Sequence, residues 1–187
     1  SFVNTIIAES CVAFSWLVLE YFFNKKLSLL GLLSGVLSGL VAITPSAGFV
    51  NYISAYIISM IGGIACYFVV NSIKEKLKYN DTLDAFGIHG VGGVIGAILT
   101  GVFQSHTVNK DIVDGLIYTG DLHTIWIQCI AVIVVVIYTI ILTFIIGKIL
   151  SIFMPLATTV EEDLTGLDQL MHGEKAYFYG ELNKVHK

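Results

Sequence analysis

Apolar side chains recur in five long blocks along this chain, at about 2–23, 29–44, 52–73, 85–103 and 122–150. Short polar breaks separate most of them: Asn24-Lys25-Lys26, Thr44-Pro45-Ser46-Ala47-Gly48 and Lys74-Glu75-Lys76-Leu77-Lys78. A longer polar loop runs from Gln104 to Asp121. Crossing a hydrocarbon core of about 30 Å takes about 20 apolar helical residues. Most of the blocks are that long, and the last exceeds it, so it should tilt or reach into the headgroups. The second block is short and carries Gly31, Gly35 and Gly39 at every fourth position, with Ser34 and Ser38 beside them. Small residues at that period leave a groove for a close neighbouring backbone. Pro45 then stops the block, because proline lacks a backbone donor. The pattern predicts an all-α integral membrane protein of five transmembrane helices over 1–150, followed by a polar tail over 151–187.

Composition agrees with this reading. The 187 residues are 56% hydrophobic and only 13% charged, against about 25% charged in a soluble domain. The net charge of -4 says little, because the charges cluster in loops and tail. Lysines close the first, third and fifth blocks at Lys25-Lys26, at Lys74, Lys76 and Lys78, and at Lys148, whereas the other side shows Lys110. By the positive-inside rule the lysine-rich ends are cytoplasmic. Ser1, the 45–51 turn and the 104–121 loop are then outside, and the tail is inside. The start at Ser1, without Met and without a basic leader, is expected to be the middle of a larger protein. Cys11, Cys66 and Cys129 lie within apolar blocks and read as small buried hydrophobes.

Few side chains carry chemistry. Glu9 sits inside the first block, where a carboxylate either bonds to a neighbouring helix or takes part in transport. His89 lies near the start of the fourth block, within Asp84-Ala85-Phe86-Gly87-Ile88-His89-Gly90. An ionisable residue in a membrane segment marks a path, a site or a special packing need. His89, Gly93, Gly96 and Thr100 share one helical face. An imidazole above bare backbone either lines a narrow tube, offering a donor and an acceptor to a small solute, or bonds across a crowded interface. Asp84 stands where a carboxylate caps free helix N–H groups. Direct pairing with His89, five residues on, requires an irregular helix start. No metal is expected, since His89, His106, His123, His172 and His186 have no compact ligand spacing. The chain has no phosphate loop and no nucleophile elbow, and its lysines are too dispersed for nucleic acid. It is not expected to be an enzyme, and no cofactor is implied.

Several stretches together resemble the ammonium transporter family, which includes the Rhesus proteins. They are Phe2-Val3-Asn4-Thr5, the glycine run into Thr44-Pro45-Ser46-Ala47-Gly48-Phe49, and Asp84-Ala85-Phe86-Gly87-Ile88-His89-Gly90-Val91-Gly92-Gly93. In the tail, Gly166-Leu167-Asp168 and His172-Gly173-Glu174-Lys175-Ala176-Tyr177 match as well. The resemblance covers nearly the whole chain. It implies the second, C-terminal half of an eleven-helix fold with inverted repeats, these segments being helices seven to eleven. It also implies transport of ammonium or ammonia through a pore in each subunit, lined by His89 and a second histidine from an absent N-terminal half. Asp84, Gly93 and Gly96 would be structural residues near the pore. Gly166, Asp168, His172, Gly173 and Glu174 would form a regulatory tail. The implied partners are that N-terminal half, two further copies in a homotrimer, and a PII-type regulatory protein at the tail. The alternatives are an ammonium sensor or regulator on the same scaffold and a structural half-subunit inactive alone.

Overall fold

The computed structural model describes residues 1–174. It is helical throughout, in the order α1 (Phe2–Asn24), α2 (Leu29–Ile43), α3 (Tyr52–Phe68), α4 (Lys74–Leu77), α5 (Val91–Phe103), α6 (Leu116–Thr119), α7 (His123–Phe153), α8 (Val160–Thr165) and α9 (Leu167–His172). A π-helical turn, Val69–Ile73, joins α3 to α4, and a second, Phe86–Gly90, leads into α5. Among the described residues four continuous helices are long and apolar enough to span a membrane: Phe2–Asn24, Tyr52–Leu77, Phe86–Phe103 and His123–Phe153. The second expected span, α2, has 15 residues, about 22 Å at 1.5 Å per residue, and is the shortest of the five expected spans. The chain divides into two compact units, Ser1–Val136 and Ile137–Lys187. That boundary falls inside α7.

Within the first unit, small residues let helices meet backbone to backbone. A Cβ on Gly39 would lie 2.5 Å from the carbonyl oxygen of Ala8, so α2 lies directly on α1. At Gly96 of α5 a Cβ would run into the carbonyl of Ala42 and the ring of Pro45. Ala8, Ile43, Val50, Ala55 and Ile58 form one buried cluster, and Trp16, Cys66 and Tyr67 form another. The Trp16 and Tyr67 rings meet edge to face at 5.2 Å.

Hydrogen bonds tie alternate loops together at one end of this unit. The Asn4 side chain donates to the carbonyls of Ala47 at 3.0 Å and Val50 at 2.8 Å. Ser105 N–H donates to Phe49 O, and Asn51 Nδ2 to the Tyr118 hydroxyl. Ser46 and Thr100 share a buried hydroxyl pair at 2.7 Å. Thr124 Oγ1 donates to Gly101 O and fixes the start of α7. At the opposite end the Glu20 carboxylate accepts from Ser28 N–H and Oγ–H, while Ser28 Oγ caps α2 by accepting from Gly31 N–H. Outward faces carry Phe14, Leu33, Ile53, Ile61 and most of α7 in exposed positions. That apolar surface is far larger than a water-soluble monomer carries and is what a lipid-facing wall requires.

Candidate functional site

The site is built around the helix start that carries His89. Asp81 organises it. Its carboxylate accepts from the N–H groups of Ala85 at 2.9 Å, Phe86 at 2.9 Å and Gly87 at 3.3 Å. These are donors that a helix start leaves without intrahelical partners. Asp84, expected to be the cap, turns its side chain elsewhere. Its backbone is left-handed, φ 55°, and its Oδ1 pairs with Lys74 Nζ at 2.6 Å. The sequence reading missed Asp81 because a cap is sought immediately before the apolar run. The available signal was the turn-forming triplet Asn80-Asp81-Thr82.

This arrangement brackets the π-helical turn from two sides. Gly87 packs against Val70 of the other π-helical turn, where a Cβ would sit 2.8 Å from Val70 Cγ2. Ile88 is buried, and its carbonyl accepts from the Cys66 thiol at 3.6 Å. With Ile88 fixed inward, His89 points outward, about one turn into the rod Phe86–Phe103 and at the same end as Lys74. Isolated π-turns inside α-helices re-aim single side chains and are frequent at functional sites.

His89 opens onto a cleft of about 360 Å³ between α5 and α7. Gly93, Val94 and Ala97 form one wall, and Ala131, Val132 and Val135 the other. Gln128 supplies the other polar side chain. No hydrogen-bond partner of the His89 ring is found among the described residues. The ring can therefore offer a donor and an acceptor to a small polar solute inside apolar walls. Of the residues expected near it, Gly93 shares the cleft, whereas Gly96, packed on Ala42 and Pro45, belongs to the α2 contact. A larger groove of about 570 Å³ beside Cys11, Phe14, Tyr56 and Met60 contains no histidine, carboxylate or amine. Among the described residues no group of three histidine, cysteine or carboxylate side chains could hold a metal.

The expected tail residues lie apart from the cleft in sequence. Thr159 and Glu162 form a reciprocal capping box that starts α8. Gly166, at φ 91°, separates α8 from α9; Asp168 lies in the first turn of α9 and His172 in its last. Gly173, at φ 71°, ends α9. Glu174 is the last described residue; Lys175-Ala176-Tyr177 lie outside the described residues.

The family model described as Ammonium Transporter Family matches residues 1–177. An ammonium transporter of Bacillus subtilis is 48% identical over 177 residues, covering 95% of this chain and 44% of that protein. One from Aquifex aeolicus is 43% identical over 175 residues, covering 94% and 40%. Among solved structures, Saccharomyces cerevisiae Mep2 matches with TM-score 0.71 and 36% identity over 76% of this chain and 33% of that one. A structure described as "Sensor Amt Protein" matches with TM-score 0.75 and 32% identity over 89% and 40%. The chain spans less than half the length of these relatives.

The match corrects four expectations. Family likeness runs over nearly the whole chain and includes every described membrane-length helix. It is therefore not confined to a C-terminal half made of helices seven to eleven, and the fold is assigned as the family's multi-span α-helical fold rather than as the second half of an inverted repeat. The pore histidine contributed by an absent N-terminal half falls with that assignment. So does the need for such a half as a partner. Sequence, helix order and the apolar cleft under His89 converge: this chain belongs to the ammonium transporter family.

Proposed function

We propose that this chain moves ammonium or ammonia across a membrane along a path that His89 lines. One observation carries the reading: among the described residues the imidazole has no hydrogen-bond partner, and it stands at the edge of an apolar cleft in a chain whose curated relatives are ammonium transporters. Apolar walls disfavour any bare cation, because they replace none of its hydration. Ammonia, neutral after losing a proton, enters at lower cost and can exchange hydrogen bonds with a neutral imidazole. Asp81 and Asp84 shape the turn that aims His89, Gly93 leaves room beside it, and Gly96 holds α5 against α2.

The proposed topology places Ser1, the 45–51 turn and the 104–121 loop outside and the tail in the cytoplasm. Bonds from Asn4, Ser105 and Asn51 gather the first set at one end, and the lysines of 25–26 and 74–78 follow the positive-inside pattern at the other. Five crossings over 1–150, a regulatory tail over 151–187, assembly as a homotrimer and a PII-type protein docking at Gly166, Asp168, His172, Gly173 and Glu174 belong to the same proposal. The likeness to a sensor protein favours a second reading, in which ammonium binding is reported rather than conducted.

Uptake of labelled methylammonium by cells expressing the protein tests the proposal. His89→Ala should abolish uptake or change its selectivity; an unchanged rate and selectivity would remove His89 from the path. Binding of ammonium without any uptake by the unaltered protein would favour the sensor.

A further inference from the structure

We propose that Gly93 is a specificity-determining residue: its bare backbone sets how large a solute can lie beside His89. The helix α5 holds glycines at 92, 93, 96 and 101. Three of them have a packing reason. A Cβ on Gly92 would stand 3.2 Å from Cys66 Sγ and from Val41 Cγ1, one on Gly101 would stand 2.9 Å from Thr124 O, and Gly96 lies on the Ala42 carbonyl. A Cβ on Gly93 would meet nothing within 4 Å. Its backbone does not call for glycine either, being regular helix, unlike the positive φ of Gly120, Gly166 and Gly173. A helix interior loses stability by holding glycine where alanine fits. Neither packing nor conformation therefore accounts for Gly93.

What Gly93 does have is the cleft. It follows His89 by four residues, is half-buried, and lines the same apolar space of about 360 Å³ together with Val94 and Ala97. The open space beside Gly93 is thus part of that cleft, one turn from the imidazole. A solute that hydrogen-bonds the ring must place its remaining atoms against a wall, and bare backbone leaves the most room for them. Methylammonium differs from ammonium by one methyl group, and Gly93→Ala adds one methyl group to the wall. The two methyl groups compete for one space, whereas ammonium has none to place. The cleft accordingly takes ammonia and its small alkyl derivatives, and the side chain at 93 sets the cut-off. This inference rests on the reading of His89 as part of the path.

Uptake of isotope-labelled ammonium and methylammonium, measured side by side in cells expressing the full chain, tests the assignment. Gly93→Ala should lower methylammonium uptake relative to ammonium uptake by about tenfold, the lower end of what one methyl group is worth in an apolar pocket, and Gly93→Val should lower it further. Because no atom stands in the way, the melting temperature of Gly93→Ala in detergent should not fall. Gly147→Ala makes the same change at a helical glycine of α7 whose Cβ also meets nothing within 4 Å and which lies outside the cleft; it should leave the ratio unchanged. An unaltered ratio in Gly93→Ala, an equal loss of both solutes, the same shift in Gly147→Ala, or a lower melting temperature would overturn the assignment. His89→Ala separates the two failures. If it abolishes uptake while Gly93→Ala leaves the ratio alone, only the role of Gly93 falls. Normal uptake and selectivity in His89→Ala, or no uptake by the unaltered protein, removes the path and Gly93 with it.

Discussion

Replacing Asp81 by asparagine should loosen the turn that aims His89 while leaving the rest of the bundle folded. The carboxylate accepts three backbone N–H groups, at 2.9, 2.9 and 3.3 Å. Asparagine keeps one acceptor oxygen and loses the charge, so it can serve Ala85 N–H, now bonded to Oδ1, or the Phe86 and Gly87 N–H groups, now bonded to Oδ2, but not all three. Losing an N-terminal cap costs about 0.5–2 kcal/mol, and bonds to charged groups lie at the upper end of the hydrogen-bond range. Asp81 is half-exposed, so water replaces part of what is lost. We expect a local loss of about 1–2 kcal/mol, which multiplies the open population of the turn about 5–30-fold. Amide hydrogen exchange reads this directly. Protection should fall by that factor at Ala85, Phe86 and Gly87 and stay level at Gly35 and Gly39 in α2. Methylammonium uptake should fall without loss of protein from the membrane. Unchanged exchange at all three amides would show that Asp81 does not hold the turn, and a uniform rise across α1 and α2 would show that its role is global.

Three further outcomes check other parts of the structure. Gly96→Val should prevent α5 from seating on Ala42 and Pro45, costing several kcal/mol as an overpacked backbone contact, and should show as loss of the monodisperse detergent-solubilised species. Asn4→Leu removes the donor to two loop carbonyls and should cost about 2–4 kcal/mol, read as a lower melting temperature; an unchanged value would mean those carbonyls find other donors. Thr124→Val removes the buried bond to Gly101 O and should cost about 1 kcal/mol, with faster exchange in the first turn of α7.

Much of the helix plan was legible in the sequence because lipid demands it. A spanning segment must be apolar and must satisfy its own backbone bonds, so long apolar blocks become helices with little competition. The glycine period of the second block likewise predicted a close helix contact, and Gly39 on Ala8 is such a contact. The short span of α2 was visible too, whereas the extension of the third rod to Leu77 was not, since a bounded apolar run does not say where backbone bonding stops. The candidate site was only partly legible. His89 stood out as an ionisable group among glycines, but the face it shares with Gly93 and Gly96 divides in space. Gly93 and Gly96 both lie in regular α5, where three residues leave them about 60° apart around the axis, enough for one to face the cleft and the other α2.

Asp84 shows the same limit and what it means for the site. Spacing made it the cap, because a carboxylate just before an apolar run is the usual solution. In the fold a more distant carboxylate, Asp81, reaches the free N–H groups first, and Asp84 adopts a left-handed backbone and pairs with Lys74 across the loop. The two aspartates thus divide the work: one satisfies the helix start, the other ties that start to the end of the preceding rod. His89 is aimed by this division, since the turn between them is fixed at its backbone by Asp81, at Gly87 by Val70 and at Ile88 by Cys66. These restraints fix the backbone that carries His89, and among the described residues no hydrogen-bond partner takes either nitrogen of its ring, which leaves both for a solute.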